Sequence, residues 1–79
     1  MKKIFVDKNE SVAAVVERIL ADEDVEITLV VPRGSVLKES VNNFHLIKRE
    51  AAGAGKTVVV ESVDEEALAL AKGAKLEGS

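Results

Sequence analysis

Seventy-nine residues leave room for one hydrophobic core and no second domain, and 47% apolar against 32% charged residues excludes a disordered chain. A net charge of −3 with acids and bases interleaved, and Phe as the sole aromatic type, excludes a dedicated nucleic-acid binder, which needs a basic stripe and rings that stack on bases. Cysteine is absent, which excludes disulfides and thiolate metal sites.

In chain order, the first element is a strand at Ile4-Phe5-Val6. Lys2 and Lys3 stand at its start, where charge discourages edge pairing. The run meets Asp7 after three apolar residues, too soon for a signal peptide. No apolar run approaches the roughly 18–20 residues that cross a bilayer. The expectation is a cytoplasmic protein without membrane insertion.

Val12, Val15, Val16, Ile19 and Leu20 then recur at helical spacing, with Ser11 or Asn9 as N-cap and Asp22-Glu23-Asp24 as the stop. Ile27 to Val31 predicts a second strand, apolar almost throughout, as strands covered on both faces are. Leu37, Val41, Phe44, Ile47 and Ala51 mark a second helix, stopped by Gly53 and Gly55. Thr57 to Val60 gives a third strand. Ala67, Leu70, Ala71 and Ala74 line a third helix from about Val63, capped by Ser62 with Glu65 as a capping box. Asp64 as cap, with Val63 and Leu68 as a staple, fits the same stretch. Lys75 to Ser79 has the look of a cloning tail, so the domain is placed at residues 1–74.

The order βαβαβα predicts an α/β fold: a three-stranded parallel sheet with right-handed helical crossovers, half of a flavodoxin- or Rossmann-like unit. Two strand orders are open. Order 2-1-3 covers both faces with helices, and the apolar character of the strands favours it. Order 1-2-3 puts all helices on one side and leaves a bare face for a partner to cover.

Gly53-Ala54-Gly55-Lys56-Thr57 ends like a phosphate-binding P-loop, but Glu50 stands where the leading glycine belongs. A helix precedes it and a strand follows, the reverse of what cradles phosphate. The glycines are therefore a helix stop and a turn. His45 is the lone histidine, next to the core-facing Phe44, and reads as a surface residue rather than a ligand or base. No Ser or Thr sits in a pattern that suggests a nucleophile.

Ligands of open parallel sheets bind beyond the carboxyl ends of the strands. The loops Asp7–Ser11 and Glu61–Glu66 put carboxylates there, which complement the helix dipole and repel an anion. Pro32-Arg33-Gly34-Ser35 differs, carrying a cation, a glycine that admits a ligand to the backbone, and a hydroxyl, with Lys38 one turn on. Arg33, Gly34, Ser35 and Lys38 are the candidate anion-binding residues. The plainer reading makes Pro32 a strand end, Gly34 a turn and Ser35 a helix cap.

The strand end Val31-Pro32-Arg33-Gly34-Ser35, the helix Asn43-Phe44-His45-Leu46-Ile47-Lys48-Arg49-Glu50 and the segment Val60-Glu61-Ser62-Val63-Asp64 resemble a small α/β domain near the N-terminus of bacterial proteins described as baseplate-J-like, often membrane-anchored. The resemblance implies an accessory domain and carries over no catalytic residue. With no catalytic constellation, the expectation is a non-enzymatic module without a cofactor or metal, acting by association with itself as a homo-oligomer or with a partner protein. Two alternatives stand beside it: a module that holds phosphate or a nucleotide at the loop after the second strand, and a designed or excised scaffold with no activity of its own.

Overall fold

Each apolar run of the sequence becomes a strand and each periodic stretch a helix in the computed structural model, which describes residues 2–78. The order is β1 (Lys2–Phe5), α1 (Val12–Ala21), β2 (Glu26–Val30), a 3₁₀ turn (Val36–Glu39), α2 (Val41–Gly53), β3 (Thr57–Glu61), α3 (Glu65–Gly73) and β4 (Glu77–Gly78). Helix starts are set by side chains that accept orphan amides. The Ser11 hydroxyl accepts from Ala14 N–H, Ser40 from Asn42 N–H, and Asp64 from Glu66 and Ala67 N–H. The second helical stretch is broken at Ser40, so Leu37 lies in the 3₁₀ turn and Ser35 caps that turn. Asp64, not Ser62, is the cap of α3.

All four strands are parallel, in the order β1-β2-β3-β4. Right-handed crossovers between successive neighbours put every helix on the same side, where α1 packs on α2 and α2 on α3. The expected order 2-1-3, with helices on both faces in a doubly wound arrangement, is therefore corrected to sequential order with one layer of helices. The reason lies in β1. Its Lys3 and Phe5 alternate with buried Ile4, so one face of the strand is solvent-facing and suits an edge. The more continuously apolar β2 takes an interior place.

Under the helices, Ile4, Ile27, Leu29, Val58 and Val60 meet Val15, Ile19, Leu37, Phe44, Ile47 and the alanines Ala51, Ala67 and Ala71. Phe44 is fully buried and is the largest side chain there. Alanines on α3 let its backbone approach the layer closely, which suits a core with a single aromatic ring.

The segment after α3 belongs to the fold. Lys75 turns with φ 63, Leu76 is 3% exposed, and Glu77–Gly78 pair with Val59 and Val60 as a fourth strand. The domain thus continues past residue 74, to Gly78 at least; Ser79, the end of the expected tail, lies outside the described residues.

The reversed P-loop look-alike is structural. Gly55 turns with φ +71 after α2. The Lys56 ammonium donates to the carbonyls of Asp22 and Asp24, tying the turn after α1 to the amino end of the sheet. His45 is exposed on α2, as read from the sequence.

Candidate functional site

Two places on this frame have the geometry of a site: the carboxyl edge of β2 and β3, and the sheet face that carries no helix.

At the carboxyl edge, the loops after β2 and β3 are neighbours because their strands are. Ser62 latches them, its hydroxyl donating to the Val31 carbonyl at 2.7 Å and accepting from Asp64 N–H at 3.0 Å. Asp64 is thereby held under the Pro32–Lys38 loop. One carboxylate oxygen caps α3, accepting from Glu66 N–H at 3.0 Å and Ala67 N–H at 3.4 Å. The other accepts from Gly34 N–H at 3.3 Å and from the Lys38 ammonium at 2.6 Å. The Asp64 side chain is 7% exposed and that of Lys38 21%. The Lys38 ammonium, supported by the amides of Gly34, Ala67 and Glu66, holds the Asp64 carboxyl down at about 2 against the opposing effect of burial. The same hydrogen bond raises Lys38 above its ordinary value.

Of the four candidate anion-binding residues, Gly34 and Lys38 do converge on an anion, and it is the chain's own carboxylate. Gly34 supplies its amide from φ +75, where an added Cβ would lie 3.3 Å from Lys8 Cε. Arg33 is exposed and donates to the Val63 carbonyl at 3.3 Å. Ser35 is buried and accepts from Leu37 N–H at 3.1 Å as the cap of the 3₁₀ turn. The residue sequence reasoning placed elsewhere is Asp64, read as a helix cap alone. Its second set of partners, Gly34 and Lys38, lies 30 and 26 residues upstream and is reached only because β2 and β3 adjoin.

The second place is the open face. Register puts Lys3, Thr28 and Val59 in one row across the sheet and Phe5, Val30 and Glu61 in the next. Lys3 and Glu61 close on each other at 3.2 Å, so their ion pair crosses over the central strand between Thr28 and Val30. Thr28 is only 7% exposed although no helix lies over it. Beyond the ion pair the surface turns apolar. A groove of about 480 Å³ is lined by Phe5, Val30, Pro32 and Val63, with Lys3 and Glu61 along its rim. Phe5 is 65% exposed and Val63 75%, so Val63 does not staple α3 but projects into solvent.

The chain matches no protein-family model, no curated protein and no solved structure. The geometry of these two places is what bears on function.

Proposed function

We propose that this chain is a non-enzymatic association module, and that its docking surface is the open face of the sheet, covered by a second copy of itself. The observation that supports this most is the one-sided helix layer, which leaves Phe5 and Val63 in solvent beside Val30 and Pro32. Exposed apolar side chains that cluster in a groove favour a protein partner over solvent. The face is also self-complementary in charge. A two-fold axis parallel to the strands lays β1 of one copy over β3 of the other, which brings Lys3 of each toward Glu61 of the second copy. The body measures only 28 × 22 × 20 Å, so one sheet face is small beside the roughly 800 Å² per partner of a standard interface. The association is accordingly weak and concentration-dependent.

Sedimentation velocity from micromolar to millimolar protein tests the reading. A monomer–dimer equilibrium is expected, and Phe5→Glu is expected to abolish it with the circular dichroism spectrum unchanged. A strict monomer at millimolar concentration overturns it.

A second reading, a phosphate- or nucleotide-binding module, has one observation in its favour: Gly34 N–H and Lys38 already hold a carboxylate at the loop after β2. An external phosphate enters there only by displacing Asp64. Titration with inorganic phosphate, followed at the amides of residues 33–38 by NMR, separates the readings; no shift at millimolar phosphate ends this one.

A further inference from the structure

The edge of the sheet at β1 is half closed and half open, and the division is made by side chains. In a parallel pair, alternate residues of a strand point their N–H and C=O at the partner strand and the residues between them point theirs away. Val6 N–H donates to the Val30 carbonyl at 2.9 Å, so Val6 and Ile4 face β2, and Lys3 and Phe5 are the residues of β1 that face outward. The backbone groups of Lys3 and Phe5 therefore point outward. Arg18 on α1 reaches the outermost carbonyl, donating to Phe5 O at 3.1 Å, and is itself held by Glu10 at 2.8 Å. Glu10 also accepts from Asp7 N–H at 3.0 Å. The Arg18–Glu10 pair thus stands in for an added strand at the carboxyl half of the edge.

At the amino half nothing does so. Among the described residues no donor or acceptor meets Lys3 N–H, Lys3 C=O or Phe5 N–H. Beside these three groups runs a trough of about 420 Å³, floored by Ile4 and Ala21 and flanked by Lys2, Lys3 and Arg18 with Asp22 as its lone anion. Unpaired edge groups of this kind template a further strand.

We infer that the β1 edge between Lys3 and Phe5 accepts a short extended segment carrying carboxylates, added to the sheet as a fifth strand and stopped at Phe5 by the Arg18–Glu10 clamp. Charge selects the occupant. A second copy's β1 would bring its own Lys2 and Lys3 against these lysines, and like charges across a strand pair are destabilising. An acidic segment meets Lys2 and Lys3 on opposite faces of the new strand, where its carboxylates compete with Asp22, 3.9 Å from Lys2, and Glu61, 3.2 Å from Lys3, for ammonium groups whose side chains are still about half exposed. Three backbone hydrogen bonds of ordinary worth give weak binding, which the lysines make salt-sensitive.

The probe is the blocked peptide acetyl-Glu-Val-Glu-Val-Glu-amide, titrated into the whole chain and read by amide NMR shifts and hydrogen exchange. Shifts centred on Lys3 and Phe5, with exchange there slowed by about tenfold or more, are expected. They should be lost with a peptide N-methylated at alternate residues and with a Lys-for-Glu version. Arg18→Ala, which frees the Phe5 carbonyl for a fourth hydrogen bond, is expected to tighten binding several-fold. No change at millimolar peptide, or equal binding of the N-methylated peptide, overturns the inference. Shifts confined to Val30 and Val63 also overturn it, since they report docking on the open face and not at the edge. Dimerisation through that face stands or falls separately by sedimentation.

Discussion

The chain's two phenylalanines lie on opposite sides of the same sheet. Phe44 comes from α2, is fully enclosed, and packs between helix and strand; Phe5 comes from β1 and is 65% exposed on the face with no helices. Burial, not residue type, decides what each contributes. On the covered side, apolar area removed from water holds the domain together. On the open side, the sheet relies on the Lys3–Glu61 pair lying over β2 and leaves apolar area available to a partner.

The largest expected effect breaks the covered side. Phe44→Ala is expected to cost about 3–5 kcal/mol, comparable to the whole net stability of a domain this small, so the variant should be unfolded by circular dichroism at room temperature. Phe5→Ala should change the free energy of urea unfolding by about 0.5 kcal/mol or less. Equal losses at the two positions would mean that the open face is covered within the folded chain and would remove the contrast.

Leu76→Ala sharpens the same comparison at the chain's end. A leucine 3% exposed should cost about 2–4 kcal/mol on truncation, measured by urea unfolding. A neutral result would place Leu76 and β4 outside the cooperative unit.

Acid titration addresses the carboxyl edge. Asp64 titrates at about 2 in the fold and near 3.9 in the unfolded chain, so the unfolded chain takes up the proton first as pH falls. The stability contributed by this carboxylate is therefore complete above about pH 4 and drains away as the pH falls toward 2. Lys38 is raised in the fold, so its share is complete below the unfolded value and is lost only as alkaline pH rises through the folded one. Asp64→Asn should flatten the acid limb of stability against pH. If the limb is unchanged, the Lys38–Asp64 pair does not differ between the folded and unfolded chains.

An effect on stability about as small as that of Phe5→Ala belongs to the strap across the open face. Glu61→Gln removes an ion pair whose side chains are 54% and 42% exposed, worth about 0–1 kcal/mol and less in high salt. Its larger consequence should be on dimerisation, since the charge that meets Lys3 of the second copy is gone.

The β1–α1–β2–α2–β3–α3 succession was legible because period-two and period-3.6 patterns depend on residues close in sequence. So were the Ser11 cap, the exposed His45 and the reversed P-loop look-alike. The C-terminal strand was hidden by brevity: Glu77–Gly78 has no pattern of its own and exists only because β3 offers it an edge. At the candidate anion loop, the turn and caps were readable, but the anion already filling it was not. Asp64 looked like a cap because its nearer partners are local.

Strand order was the larger matter that tertiary structure decided. Apolar β2 and β3 are compatible with either order, and the choice turns on which strand tolerates water on one face. Lys3 and Phe5 gave β1 that tolerance, and with β1 at the edge all helices fell on one side. Local pattern determines which segments form strands and helices because those hydrogen bonds and apolar stripes close over a few residues. Which strands adjoin, which face stays open and which donors meet Asp64 depend on contacts tens of residues apart, settled only when the whole core packs.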